Sequence, residues 1–316
     1  MAARKAEAEQ ILSEMRIYTH PACLDHETGL GHPESPARLR AVLQALDDSR
    51  FANVERVEAP RATREQLLRV HDASYIESIF ANEGHSLRLD PDTVMSPDSL
   101  EAALRAAGAA CAAVDDVMDG KTQRAFCAVR PPGHHATRDT AMGFCIFNSV
   151  AVAAAHTLEQ YDLERVAIID FDVHHGNGTQ DIFWNDPRVQ YLSSHQMPLY
   201  PGTGSHNERG AGNIVNAPLP PGAGSREFRA AWDEILLPAL DAHRPQLLLI
   251  STGFDAHRDD PLAQLQLETD DYAWVTQRLS ALADTHAQGC MVSALEGGYD
   301  LSALRECTTA HVAAMM

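Results

Sequence analysis

Two apolar runs, Arg165-Val166-Ala167-Ile168-Ile169 and Leu247-Leu248-Leu249-Ile250, lack any polar alternation. A strand with one wet face alternates; one without alternation is covered on both faces, which points to a parallel sheet flanked by helices. Each run leads at once into polar residues: Asp170-Phe171-Asp172-Val173-His174-His175 after the first, and Gly253-Phe254-Asp255 after the second. A third cluster, Gly133-His134-His135, follows another strand-like stretch. Ligands of open parallel α/β sheets bind beyond the carboxyl ends of the strands, so these acids and imidazoles should meet at one edge.

The rest of the chain alternates helix-like and strand-like segments with short Gly and Pro punctuation, an α/β pattern. Helices are predicted over residues 36–47, 64–80, 97–118, 148–160, 225–243 and 270–286, and strands over 125–129, 166–170, 189–193, 247–251 and 290–295. Ser96 suits the cap of a helix with Pro97 at its first position, and Gly120 suits its stop. Segments 83–96 and 196–224 are predicted as long loops that build a binding rim.

With 45% hydrophobic content, the 316 residues can bury a large core. One catalytic domain over 15–316 is expected, after a charged extension over 1–14 to which no function is assigned. The formal charge of -19 argues against nucleic acid as a direct partner, since phosphates require clustered Lys and Arg. No run reaches the ~20 apolar residues of a membrane span, and the charged start lacks the apolar stretch of a signal peptide, so a cytoplasmic location is expected. Six cysteines without a Cys-x-x-Cys pair read as reduced, buried thiols.

Asp172 and His174 stand two apart at a strand end, so their side chains project to one side and can grip one ion, with Asp255 as a third ligand. Two carboxylates and one imidazole leave a coordination position open, as in a catalytic metal site. Zinc is the first choice, although such a set also accepts Fe(II), Co(II) or Mn(II). A base is still needed, and His134 and His135 supply two imidazoles. A carboxylate partner raises one ring's pKa and an amide partner leaves the other nearer neutral; Asp170 and Asn177 are the candidate partners. In Glu296-Gly297-Gly298-Tyr299-Asp300 the glycines let the backbone approach, and the Tyr299 hydroxyl can stabilise an oxyanion. Lewis acid, base and oxyanion donor together describe a hydrolase.

Six segments carry a resemblance: Arg130-Pro-Pro-Gly-His-His-Ala136, Gly143-Phe-Cys-Ile-Phe-Asn148, Asp170-Phe-Asp-Val-His-His-Gly-Asn-Gly178, Tyr200-Pro-Gly-Thr-Gly204, Gly253-Phe-Asp-Ala-His257 and Glu296-Gly-Gly-Tyr299. In this order the chain resembles the zinc-dependent histone deacetylases and their bacterial relatives, the histone deacetylase-like amidohydrolases and acetylpolyamine amidohydrolases. Asn177 and the wording around His134 are similar to the class II branch. The resemblance implies the arginase/deacetylase fold, a three-layer α/β/α sandwich around an eight-stranded parallel sheet. It implies one zinc on Asp172, His174 and Asp255, His135 as principal general base and acid, His134 as its electrostatic partner, and Tyr299 on the scissile carbonyl. Gly143, Phe144 and Tyr200 would line a narrow channel for an acyl-lysine stem, Asp92 would hold the substrate backbone at the rim, and Arg38 would serve acetate exit. Potassium is implied near Asp170, Asp172, His174, Ser193 and Ser194, with a second site around Phe183 and Val189.

Leu262 stands where the polyamine-selective branch places a glutamate, which favours acyl-lysine over acetylpolyamine. Homo-oligomerisation, which narrows the channel in bacterial acetylpolyamine enzymes, stays open. Little chain follows Tyr299, so a terminal helix is expected to be short or missing. The function expected is removal of acetyl or short acyl groups from the ε-amine of lysine by metal-activated water. The alternatives are an acetylpolyamine amidohydrolase, a binuclear manganese ureohydrolase on the same fold, and a catalytically silent acyl-lysine binder.

Overall fold

The computed structural model describes residues 13–316. Of the expected extension, residues 1–12 lie outside the described residues, and the first strand, β1 (Ser13–Thr19), begins before the expected domain start. It joins β2 (Glu55–Glu58), β5 (Thr122–Cys127), β6 (Val166–Asp170), β7 (Val189–Gln196), β8 (Ile214–Leu219), β9 (Leu247–Thr252) and β10 (Met291–Leu295) in one sheet. The order is β2-β1-β5-β10-β9-β6-β7-β8 and every pairing is parallel. All residues of β6, β7, β9 and β10 are buried, so both faces of these strands are covered, as the runs without alternation required. β3 (Leu87–Arg88) and β4 (Val94–Met95) form a separate antiparallel pair.

Of the eight strands in this sheet, β1, β2 and β8 are not predicted from the sequence. β2 and β8 are the sheet's two edges, and they are disguised by the residues that suit edges: β2 reads Glu-Arg-Val-Glu, and β8 carries Pro218. β8 lies within the segment 196–224 predicted as loop, and β3 and β4 within 83–96. In β1, Arg16 interrupts the apolar residues because it reaches the neighbouring Glu55 at 2.7 Å.

The helix predicted over 64–80 is two, Arg64–Leu68 and Ala73–Phe80. His71 breaks it by turning inward to Thr137 O (2.8 Å) while accepting from Asn148 N (3.0 Å), and these tertiary bonds outweigh helix propensity. The helix predicted from 97 spans Ser99–Met118, and Ser96 is not its cap; the Ser99 hydroxyl instead accepts from Ser96 N. The helix over 225–243 contains a π turn at Trp232–Leu236, just before Pro238, whose missing N–H and bulky ring disrupt an α-helical ladder. A helix over Leu301–Met315 follows Tyr299, against the expectation of a short or missing one.

Candidate active site

Connections after β5, β6, β9 and β10 meet above the middle of the sheet. Beyond β6, Asp172 and His174 project to one side, and Asp255 arrives from the turn after β9. His174 Nδ1 lies 3.0 Å from Asp172 Oδ1 and 3.1 Å from Asp255 Oδ2. Among the described residues this is the one cluster of acids, histidines and cysteines able to hold a metal, its three ligand atoms lying within 4.8 Å of one another.

The backbone is built around these carboxylates. Gly297 N donates to Asp172 Oδ2 at 2.8 Å and Val173 N to Asp255 Oδ1 at 2.9 Å. A Cβ on Gly253 would stand 2.1 Å from Asp172 Oδ2, and one on Gly297 2.0 Å from Asp255 Oδ2, so both positions require glycine for close approach. Burial would push His174 down, yet Asp172 and Asp255 lift it to about 10: two buried anions demand a positive charge between them. Two carboxylates and an imidazole, the imidazole of His174 lining a cavity, fit a divalent cation with an open position, zinc among them.

β10 and β9 stand between β5 and β6, and the long segment after β5 crosses their ends to bring the histidine pair to the Asp172, His174 and Asp255 cluster. Glu296, directly after β10, anchors that crossing: its Oε2 accepts from Gly133 N (2.6 Å) and His134 N (3.2 Å), and its Oε1 from the Ser251 hydroxyl (3.0 Å). Burial pushes this carboxyl up to about 7 against those donors.

Asp170 and Asn177 contact the two histidines as expected. His134 Nδ1 lies 2.9 Å from Asp170 Oδ2, and His135 Nδ1 2.8 Å from Asn177 Oδ1. Burial opposes charge on His134, but Asp170, Asp172 and Glu296 raise it well above the ordinary range. Burial and then the neighbouring His134 hold His135 well below it. The Asn177 amide oxygen accepts a hydrogen bond from His135 Nδ1–H, which leaves Nε2 with a lone pair.

These groups floor a cavity of about 220 Å³, lined by Asp92, Gly143, Phe144, Tyr200, Leu262 and Tyr299 together with both histidines and His174. Phe144 sits edge-on to Tyr299, ring centroids 6.0 Å apart, and Tyr200 edge-on to His135 at 5.2 Å. Gly143, at φ +55°, has the His135 ring 2.3 Å from where a Cβ would stand. Arg38 lies beneath the site, its guanidinium 4.8 Å from the Tyr299 ring centroid, and donates to Gly298 O at 2.6 Å. It shares the buried carboxylate of Glu34 with Arg130.

The sequence reading assigned no role to Asp260, Glu34 or Glu296. Asp260 Oδ2 accepts from Tyr299 N (2.7 Å) and Oδ1 from Leu262 N (3.0 Å), tying the hydroxyl-bearing turn to the rim. A charged residue directly after a strand, or within an Asp-Pro turn, was the available signal. Of the positions implied for potassium, Ser193 pairs with Asp170 across the sheet, but its hydroxyl is hydrogen-bonded to His195 Nδ1 at 2.9 Å. Ser194 Oγ accepts from the Trp232 indole at 3.2 Å. Phe183 and Val189 flank the turn that leads into the start of β7, their carbonyls converging on the side chain of Asn213.

The chain is similar to known proteins over most of its length. Residues 32–315 match the family model described as histone deacetylase domain. A histone deacetylase-like amidohydrolase of Pseudomonas aeruginosa is 42% identical over 85% of this chain and 73% of its own length. A probable deacetylase of Archaeoglobus fulgidus is 38% identical over 95% of this chain and 85% of its own length. The solved HDA15 HD domain superposes with a TM-score of 0.92 at 34% identity, covering 96% of this chain and 88% of that one.

Proposed function

The chain belongs to the histone deacetylase family and is a deacetylase-type hydrolase, and from that premise we propose that it is a zinc-dependent amidohydrolase acting on the ε-acetamide of lysine. The observation that carries this reading is one cavity lined by the His134 and His135 pair, Tyr299 and His174, the last of which is clustered with Asp172 and Asp255. Zinc held by the three ligands would act as a Lewis acid, polarising the amide carbonyl and acidifying water.

The protein supplies the remaining steps. Phe144 and Tyr200 flank a straight alkyl stem and keep water from it. His135 Nε2 takes a proton as water attacks the amide carbon, a C–O bond forming while the carbonyl electrons move to oxygen. The Tyr299 hydroxyl donates to that oxygen, and charge on His134, secured by Asp170, favours the developing anion. As the C–N bond breaks, His135 returns its proton to the departing amine, leaving acetate and a free lysine. Leu262 at the rim offers no charge for a second ammonium, which supports acyl-lysine over polyamine. A cytoplasmic site of action is part of the same proposal, resting on sequence composition.

The test is kcat/KM of the zinc-loaded protein on an acetyl-lysine peptide beside N-acetylputrescine and N-acetylcadaverine. A clear peptide preference is expected. The reverse preference would make it an acetylpolyamine amidohydrolase, and binding without turnover of any of the three would overturn the enzymatic reading.

A further inference from the structure

Three backbone carbonyls, of Phe183, Asp186 and Val189, point at one nitrogen. Asn213 Nδ2 lies 2.8 Å from Phe183 O, 3.1 Å from Asp186 O and 2.8 Å from Val189 O. Carbonyl oxygens that converge in this way repel one another and require a donor or a cation at their centre. A primary amide has two N–H bonds, so three acceptors share two hydrogens, an arrangement suited to a diffuse positive charge. The orientation of the amide is fixed at its other end, where Asn213 Oδ1 accepts from Ala211 N at 3.0 Å. Asn213 is itself buried and directly precedes β8, its carbonyl accepting from Tyr191 N of β7 at 2.9 Å.

The resemblance of this chain to its family implied a second potassium ion around Phe183 and Val189. The residues present do not fit one. A potassium ion coordinated by these three carbonyls would have to occupy the space that holds the Asn213 nitrogen. We propose that the Asn213 carboxamide is a built-in substitute for a monovalent cation, so that the turn from Phe183 to Val189 is ordered without an ion. The consequence is a protein whose need for potassium is confined to the neighbourhood of Asp170 and Ser193. This inference is independent of which acylated amine is the substrate.

Rubidium, a potassium mimic with strong anomalous scattering, tests it directly. In crystals of the full chain soaked in rubidium chloride, no anomalous peak should appear among the carbonyls of Phe183, Asp186 and Val189; a peak there would overturn the proposal. Asn213→Ala should open the site. Equilibrium dialysis should then show one more rubidium ion per chain than in the unsubstituted protein, and equal stoichiometry would again count against it. The variant's melting temperature should fall in choline chloride and recover in potassium chloride of equal ionic strength, more than the unsubstituted protein's does. If the variant does not fold, the anomalous map of the unsubstituted protein still decides.

Discussion

His134 and His135 stand with ring centroids 4.1 Å apart, one against the carboxylate of Asp170 and the other against the amide oxygen of Asn177. The difference between the partners separates two otherwise identical groups: a carboxylate retains a proton on its imidazole, and an amide does not. Replacing Asn177 with Asp should remove this distinction. The acid limb of the kcat/KM profile, which reports the requirement for a neutral His135, should move upward by about 1–3 pH units. An unmoved limb in Asn177→Asp would show that Asn177 does not set the state of His135.

Tyr299 is placed by the bond from its amide to Asp260, so its hydroxyl can be removed without disturbing the turn. Tyr299→Phe should lower kcat roughly 10²- to 10³-fold, the scale of one oxyanion donor, with metal content and melting temperature unchanged. Near-normal turnover would exclude the hydroxyl from the reaction.

Gly297 has no room for a methyl group, since its Cβ would stand 2.0 Å from Asp255 Oδ2 and 2.6 Å from Asp172 Oδ2. Gly297→Ala should weaken zinc binding roughly 10- to 100-fold, as disturbed supports of metal ligands do. Competition with a chromogenic chelator measures this. Undiminished affinity would mean that the main chain yields and the ligands do not.

Glu34 is fully buried between Arg38 and Arg130. Burial alone would raise its pKa, but Arg130 and then Arg38 overcome it and hold the carboxyl at about 2, below its ordinary 4.5. His26, pushed down to about 4 by burial, is uncharged at neutral pH and adds nothing there. The folded state binds this proton less readily than the unfolded chain. The stabilisation is therefore complete above pH 4.5 and is lost as pH falls toward 2. Glu34→Gln should cost about 3–5 kcal/mol at neutral pH, and the deficit should narrow below pH 4.5. Urea unfolding across that range would show it, and a deficit independent of pH would place the cost in packing instead of charge.

The interior strands were legible because burial on both faces leaves only apolar residues to choose from, as in Val166 to Ile169. The edge strands were not, since β2 exposes Glu55 and Glu58 and β8 tolerates Pro218. The clustering of Asp172, His174 and Asp255, and the histidine pair with its partners, could be read because each sits directly after a strand or in a compact motif. Asp260 and Glu34 act through backbone amides and arginines distant in sequence, which no local pattern encodes. The separation of β5 from β6 is hidden for the same reason: nothing within residues 122–170 reveals that β9 and β10 will lie between.

That insertion sets the order of events on the ribosome. β5 and β6 emerge early, with the edges that will face β10 and β9 still unpaired, and the gap closes only after residue 295 has been made. Until then the nascent chain exposes open strand edges of the kind that recruit chaperones or neighbouring chains. A premature stop before β10 would therefore leave more than an enzyme without Tyr299; it would leave a sheet split down its middle.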